Sequence, residues 1–209
     1  MDREILETFD SVKSKTECAL KCTENLDCLS YFYNNVEGFC QTHPVVFISP
    51  VDGVAKSFTT YSTVFGVLGS CPINDGYINH RGYNLCYKPH KTLVDRAGAI
   101  NKCVGDGDVL FTGFNTQQIK HVAQQLNSSS DYRAVTGGFY IDGSDEADEG
   151  QWVLSDGSKI DWSLWLPEQP QNKTDEDYLA LRYEEEYSTT GFNDARTTWL
   201  KGVVCQKLV

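Results

Sequence analysis

The eight cysteines of this 209-residue chain constrain its fold more than any other feature, because they stand in two groups of four. Thirty residues without a cysteine separate the two groups. The groups are Cys18, Cys22, Cys28 and Cys40, then Cys71, Cys86, Cys103 and Cys205. An even number in this arrangement predicts a disulfide framework, which forms outside the reducing cytosol, and no spacing of zinc-site type competes with it.

The two groups predict two disulfide-braced modules, residues 1–68 and residues 69–209, and the helix and strand patterns within each module predict the α+β class. We expect the seam in residues 64–70, where two glycines loosen the backbone before a new pattern begins at Cys71. The N-terminus has no apolar stretch of signal-peptide type, and no run approaches a membrane span. We therefore expect a mature, secreted protein without membrane insertion.

The formal charge of −11 is concentrated between Asp142 and Asp194. Fifteen Asp and Glu residues stand there against three basic residues, a balance of −12, while the rest of the chain carries +1. A local acidic field repels nucleic acid and attracts cations, so we expect no nucleic-acid partner. A solvated acidic face is the plainer alternative to a cation site.

The motifs of common enzyme active sites are missing from the sequence. There is no Gly-x-Ser-x-Gly, no His-Glu-x-x-His, no glycine-rich phosphate loop and no cysteine in excess of the disulfides. The four histidines are scattered. We expect a protein that acts by binding and is not an enzyme.

The first module carries a short helical pattern through Cys18 and Cys22, with Ser14 or Thr16 as its N-cap. Strand patterns lie at residues 29–33, 45–48 and 57–61. Cysteine spacing alone leaves three disulfide connectivities open.

Four segments of this module together resemble a PAN/apple domain over residues 1–66. They are residues 17–22 (Glu-Cys-Ala-Leu-Lys-Cys), 25–28 (Asn-Leu-Asp-Cys), 31–34 (Tyr-Phe-Tyr-Asn) and 39–41 (Phe-Cys-Gln). The resemblance implies the pairs Cys18–Cys40 and Cys22–Cys28. It also implies binding of proteins or glycans, without pointing to any site residue.

The second module begins with a pattern suited to a hairpin that a Cys71–Cys86 disulfide would close. Helical periodicity follows at residues 92–102 and 116–126, and short strand-like segments between long loops complete the chain. The order of elements predicts two helices followed by sheets.

Several short motifs of this module, read in order, resemble a long-form C-type lectin-like domain over residues 71–209. They are Cys71-Pro72, Cys86-Tyr87, Gly150-Gln151-Trp152, Trp165-Leu166-Pro167, residues 177–181, Asn193-Asp194 and residues 202–207. The resemblance implies two helices, antiparallel sheets, a long loop region and the pairs Cys71–Cys86 and Cys103–Cys205. Tyr178 and Thr197 stand where the family has another disulfide, so we expect looser loops there.

The resemblance further implies a calcium ion that holds a carbohydrate through shared oxygen ligands. The family's specificity tripeptide, with a cis bond before its proline, corresponds to Gln169-Pro170-Gln171. The implied metal ligands are Gln169, Gln171, Glu176, Asn193 and Asp194. The implied carbohydrate contacts are Gln169, Gln171, Glu176 and Asn193, with Tyr187 available for stacking.

The tripeptide departs from the family's usual patterns. Gln-Pro-Gln agrees with the galactose-type Gln-Pro-Asp at its first position only, and on that basis we expect galactose-type or GalNAc-type sugars. Only Glu176 and Asp194 bring negative charge to the ion, which predicts a weak, roughly sub-millimolar to millimolar Ca²⁺ site. A calcium-independent protein-binding or adhesive module is the alternative, and Gln171 favours it.

Three further expectations concern the surroundings of this site. A second Ca²⁺ is implied by family positions that an ordinary acidic loop would also explain. These positions are Asp145, Glu149, Asn172, Glu176 and Asp177. Sequons predict N-glycosylation at Asn127 and Asn172. The expected partners are glycans or glycoproteins, with a possible homo-oligomer that would add avidity.

Overall fold

The structure is a computed structural model, and it describes residues 5–46, 60–63, 71–113, 115–160, 164–171, 173 and 175–208. The chain divides into two units, Met1–Cys86 together with Val209, and Tyr87–Leu208. The seam expected at residues 64–70 lies outside the described residues. No helix in the described ranges is both long and apolar enough to cross a membrane.

Within its described residues, the first unit contains one α-helix and a four-stranded sheet. The elements are β1 (Glu7–Phe9), α1 (Lys15–Glu24), β2 (Ser30–Asn34), β3 (Phe39–His43) and β4 (Thr60–Thr63). The strand order is β1-β3-β2-β4, and all three pairings are antiparallel. Ser14 is the N-cap of α1, since its hydroxyl accepts a hydrogen bond from the backbone N–H of Glu17 at 3.1 Å.

The strand expected at residues 45–48 is wrong in its described part, because Val45 and Val46 lie outside any strand. The chain instead uses Phe39–His43 as β3, which pairs with β1 on one side and β2 on the other. Pro44 follows directly and cannot donate to a ladder, which explains why the strand ends before the β-branched run. Residues 47–48 lie outside the described ranges.

Disulfides and one arginine hold the helix end of the first unit in place. Cys18–Cys40 joins α1 to β3, and Cys22–Cys28 closes the turn after α1. Arg81 donates hydrogen bonds to four carbonyl oxygens at this end of the helix, where a cation also complements the helix dipole. The acceptors are Cys22, Thr23, Asn25 and Cys28.

Arg81 belongs to the hairpin segment that the Cys71–Cys86 disulfide closes. This segment contains β5 (Ile78–His80) and two 3₁₀ turns, Ile73–Asp75 and Arg81–Tyr83. The imidazole of His80 stacks on the ring of Tyr83 with centroids 4.1 Å apart. All four disulfides of the structure join the pairs that the two resemblances imply.

The second unit is built on a larger sheet with three helices. Its helices are α2 (Arg96–Gly105), α3 (Thr116–Asn127) and α4 (Ser130–Arg133). Its strands are β6 (Leu85–Val94), which begins in the first unit, β7 (Val109–Leu110), β8 (Phe139–Ser144), β9 (Tyr178–Glu184), β10 (Thr189–Ala195) and β11 (Lys201–Lys207). The strand order is β10-β9-β8-β11-β6-β5, with β7 pairing to β11.

One pairing in this sheet differs from the expected antiparallel arrangement. Strands β8 and β11 run parallel, with Gly202 opposite Phe139 and Val203 opposite Tyr140. The β10–β9, β9–β8 and β11–β7 pairings are antiparallel. The α+β class and the expected kind of fold are confirmed, with this one parallel pair as an addition.

The second predicted helix, at residues 116–126, is confirmed as α3, which the side chain of Asn115 caps. The start of the first predicted helix is wrong. Residues 92–94 form the end of β6, and α2 begins at Arg96 because the Asp95 carboxylate accepts from the backbone N–H of Gly98 at 2.7 Å. The four-residue helix α4 was not predicted.

The core of the second unit lies between α2 and the sheet. It contains Ala99, Leu110, Tyr140, Ala180, Ala195, Val203 and the Cys103–Cys205 disulfide, all with at most 8% of their surface exposed. This disulfide closes a loop of 102 residues, which corresponds to about 4.7 kcal/mol in the chain-entropy model. A covalent link between α2 and β11 thus fixes the sheet that carries the candidate site.

Candidate functional site

Backbone hydrogen bonds hold the segment 164–171, which contains the tripeptide, against β10. The N–H of Phe192 donates to the carbonyl of Leu164 at 2.7 Å, and the N–H of Leu166 donates to the carbonyl of Phe192 at 3.0 Å. The Phe192 ring is fully buried and packs edge-on against Trp165 with centroids 5.6 Å apart. Phe192 is therefore a core residue, and it sets the position of the segment relative to Asn193 and Asp194.

The Gln169-Pro170 peptide bond is cis, as the resemblance implied. One residue later, the backbone N–H of Gln171 donates to Oδ2 of Asp194 at 2.6 Å. The tripeptide and the Asn193-Asp194 pair therefore belong to one cluster. Within the part of the chain that the structure describes, Oε1 of Gln169 is buried and has no hydrogen-bond partner.

Glu176 lies in the same cluster, with only 3% of its surface exposed. Its Oε1 is 3.4 Å from both Nε and Nη2 of Arg196 and 3.5 Å from Nζ of Lys173. Arg196 also forms an ion pair with Asp175 at 3.1 Å. Two cationic side chains thus share the buried carboxylate of Glu176.

The other predicted ligand oxygens are also engaged by donors of the chain. Nη1 of Arg182 donates to Oδ1 of Asn193 at 3.0 Å, and Nδ2 of Asn193 donates to the backbone carbonyl of Asp194. Nζ of Lys173 donates to Oε1 of Gln171. The structure therefore brings together the predicted ligands Gln171, Glu176, Asn193 and Asp194. Three basic residues that sequence reasoning did not include, Lys173, Arg182 and Arg196, contact them.

A signal for two of these basic residues was present in the sequence. Lys173 and Arg182 are two of the three basic residues in the acidic stretch from Asp142 to Asp194. A cation placed alone among so many carboxylates is expected to find one as a partner. Which oxygens it contacts, however, depends on the folded hairpin.

Lys201 is a further basic residue that the sequence did not single out. Its side chain is almost fully buried, and Nζ donates to the carbonyl of Gly137 at 2.5 Å. Burial, with a smaller contribution from the charge of Arg182, lowers the pKa of Lys201 to about 8, and the negative charges of Asp194 and Glu176 oppose the shift. The charged groups of the site therefore affect one another through the sheet as well as at the surface.

Tyr187 lies in the turn between β9 and β10 and is 45% exposed. The charge of Glu186 raises the pKa of Tyr187 most, and Glu168 and Glu184 add to the rise. Glu168 belongs to the segment that carries the tripeptide, so a charge of that segment acts on the Tyr187 hydroxyl. Its exposed face is available for stacking.

Asp177, one of the acids predicted for a second ion, lies beside Asp145, which is 2% exposed. Its Oδ2 accepts from the N–H of Gly150 at 2.9 Å, and its own N–H donates to the carbonyl of Asp177 at 3.2 Å. Burial raises the pKa of Asp145, and the charges of Asp177 and Asp194 add to the rise. Desolvation and the same three acids raise the pKa of Glu149, while Asn172 lies outside the described residues.

The proposed ligands Gln169, Gln171, Glu176, Asn193 and Asp194, called the principal site, carry oxygens of the kind that Ca²⁺ binds. Across the described residues no three Asp, Glu, His or Cys side chains converge as metal ligands. The predicted site relies instead on three amides and two carboxylates, and neutral and charged oxygens of this kind are the ligands that Ca²⁺ accepts. The buried, unpartnered Oε1 of Gln169 is one such acceptor, whereas an ion would have to displace Lys173 and Arg182 from others.

Non-covalent contacts link the residues at the positions where the family has its further disulfide. The side chains of Tyr178 and Thr197 form a hydrogen bond with each other. The hydroxyl of Tyr140 lies 2.6 Å from the carbonyl oxygen of Arg196 and 2.9 Å from that of Trp199. The turn between β10 and β11 is therefore attached to β8, and the looser loops remain a prediction.

The two sequons differ in what the structure describes. Asn127 is the last residue of α3 and is half-buried, and its carbonyl accepts from Nη1 of Arg133 at 2.5 Å. Asn172 and Thr174 lie outside the described residues.

Comparison with known proteins agrees with both modules. The family model described as the PAN domain matches residues 1–65. The chain is 25% identical over 162 residues to the galactose-specific lectin nattectin of Thalassophryne nattereri, a match that covers 78% of this chain and 92% of the relative.

Two solved structures show the fold of the remaining residues. The human scavenger receptor C-type lectin carbohydrate-recognition domain has a TM-score of 0.52 at 20% identity and covers 66% of this chain and 98% of that structure. A calcium-independent type II antifreeze protein also has a TM-score of 0.52, at 18% identity, and covers 66% and 94%. Residues 1–65 therefore match the model of the PAN domain, and the remaining residues share the fold of C-type lectin domains. The match to nattectin extends over most of this chain.

Proposed function

We propose that the second module, residues 69–209, is a calcium-dependent lectin for galactose-type or GalNAc-type sugars. The observation that carries this proposal is the 2.6 Å hydrogen bond from Gln171 to Asp194, which joins the tripeptide to the strand pair. Together with Glu176, these residues form one group of oxygen acceptors. The galactose specificity in the name of nattectin supports the choice of sugar.

The ligands proposed for the ion are Gln169, Gln171, Glu176, Asn193 and Asp194. Bound Ca²⁺ would supply a dehydrated positive charge to which two neighbouring sugar hydroxyls bind. The amide groups of Gln169, Gln171 and Asn193 each offer an oxygen to an ion and N–H donors to a hydroxyl. Glu176 adds a carboxylate acceptor, and the exposed ring of Tyr187 offers an apolar surface to one face of the pyranose.

The remaining parts of the proposal concern the whole protein. We infer that it is secreted, acts by binding without catalysis, and recognises glycans or glycoproteins in extracellular recognition or innate defence. The PAN domain, in a module of residues 1–68, adds a second protein-binding or glycan-binding surface. We also propose a second Ca²⁺ near Asp145, glycans on Asn127 and Asn172, and self-association of the protein.

Calorimetry tests the proposed function directly. Methyl galactoside, N-acetylgalactosamine and methyl mannoside are titrated into the full chain in millimolar Ca²⁺ and again with excess EGTA. We expect binding heat for the first two sugars that disappears with EGTA. Heat for none of the three sugars in Ca²⁺ would overturn the carbohydrate assignment.

A calcium-independent adhesive or protein-binding module is the second candidate. The contacts of Lys173 with Gln171 and of Arg182 with Asn193 favour it, because these donors satisfy the oxygens without an ion. Ligand binding that persists unchanged in EGTA would select this candidate.

A further inference from the structure

Building on the proposed function, we propose that Lys173 is a built-in competitor of Ca²⁺ at the principal site. Its ammonium donates to Oε1 of Gln171 and lies 3.5 Å from Oε1 of Glu176. Both oxygens are proposed calcium ligands. The positive charge of Lys173 therefore stands between two groups that the ion needs.

The two side chains of the Lys173–Glu176 pair differ in burial. The carboxylate side chain of Glu176 is 3% exposed, whereas the side chain of Lys173 is 54% exposed. Glu176 is therefore fixed within the fold, while the long, flexible lysine stem has solvent into which it can swing. An arriving ion displaces the ammonium and leaves the carboxylate where it is.

Electrostatics gives the competition its direction. The acidic ligands of the principal site are Glu176 and Asp194, and the ammonium of Lys173 offsets one of these two charges. A divalent cation at the same oxygens is also repelled by an ammonium that stays close by. A substitution that removes the positive charge at position 173 therefore raises calcium affinity. A substitution that keeps a positive charge at this position does not.

Arg182 engages a third proposed ligand, but its surroundings differ. It donates to Oδ1 of Asn193 and also forms an ion pair with Glu184, which is outside the proposed ligand set. Arg182 thus keeps a counter-charge when it leaves Asn193.

Arg196 also contacts Glu176, at 3.4 Å, but its 3.1 Å ion pair with Asp175 leaves it a counter-charge outside the ligand set. We assign the competing role to Lys173 because it contacts two proposed ligands, Gln171 and Glu176.

The test measures Ca²⁺ binding by the full chain without any sugar. Calorimetric titrations compare the wild type with Lys173→Gln and Lys173→Arg, and with Lys91→Gln as a matched control in the exposed Lys91–Asp131 pair. We expect Lys173→Gln to bind Ca²⁺ about tenfold more tightly than the wild type. Lys173→Arg and Lys91→Gln should bind like the wild type.

A second substitution locates the gain. Glu176→Gln alone weakens Ca²⁺ binding because it removes a charged ligand, so the double variant is compared with it. On this background, Lys173→Gln should give no gain in affinity over Glu176→Gln. Equal Ca²⁺ affinities of Lys173→Gln and the wild type would overturn the inference and leave the proposed function standing. Ca²⁺ heat in neither protein would overturn the calcium-dependent function and the inference together.

Discussion

The backbone N–H of Gln171 donates to the side chain of Asp194 at 2.6 Å, across 23 residues of sequence. This contact aligns the end of the tripeptide segment with the β10 strand. A carboxylate that accepts from a backbone N–H forms a charge-assisted hydrogen bond, which is stronger than a neutral one. Asp194 therefore orders the loop in addition to supplying charge to the proposed ion.

Asp194→Asn tests both roles of Asp194. The substitution removes one of the two charges proposed for the ion and weakens the bond to Gln171, so we expect at least a tenfold loss of Ca²⁺ affinity. Calorimetry measures the loss, and circular dichroism checks that the fold is retained. Asp131→Asn, at an exposed carboxylate paired with Lys91, is the control and should bind Ca²⁺ normally.

Tyr187→Ala should weaken sugar binding without changing Ca²⁺ binding. The ring is 45% exposed, and aromatic contacts of this kind contribute about 1 kcal/mol, which corresponds to roughly a fivefold change in affinity. Tyr187→Phe keeps the aromatic face and should retain wild-type affinity for the galactoside. Equal sugar affinities for the alanine variant and the wild type would exclude stacking by this residue.

The buried ammonium of Lys201 predicts a stability difference at alkaline pH. Its pKa falls from 10.5 to about 8 on folding, so between these values the unfolded chain binds the extra proton and the folded protein gains stability as pH rises. Relative to Lys201→Met, the wild type should gain about 3 kcal/mol across this interval. Urea unfolding of both proteins from pH 7 to pH 10.5 measures the difference, and parallel pH profiles would contradict the assigned pKa.

Local chemistry made several elements predictable from sequence. Ser14 was one of two candidate caps for α1, and α3 follows the apolar spacing of residues 116–126. The cis bond before Pro170 came from the family resemblance. These features depend on neighbouring residues or on a recurring motif.

The errors have causes that act over longer distances. The chain at residues 92–94 continues β6 within the sheet, and the Asp95 cap delays the helix until Arg96, although the apolar spacing suited an earlier start. The strand expected at residues 45–48 had favourable propensity, but residues 39–43 supply the two-sided pairing. In both cases the pairing between neighbouring strands determined where the strand lies.

The oxygen ligands of the candidate site could be predicted from the sequence. The basic side chains that donate hydrogen bonds to those oxygens could not. The ligand positions follow a motif, whereas the contacts of Lys173 and Arg182 depend on side-chain directions across the loop and the β9–β10 hairpin. No local pattern encodes which oxygen a long basic side chain reaches. A basic residue within an acidic stretch nonetheless indicates that its side chain can compete with a metal ion for the same oxygens.

The two main-chain hydrogen bonds that tie residues 164 and 166 to Phe192 have an evolutionary consequence. Since the attachment uses peptide groups, it does not depend on which side chains follow at residues 167–171. Selection can therefore exchange those side chains, and with them the chemistry of the proposed site, while the path of the loop is retained. Diversification of ligand preference then requires no redesign of the scaffold.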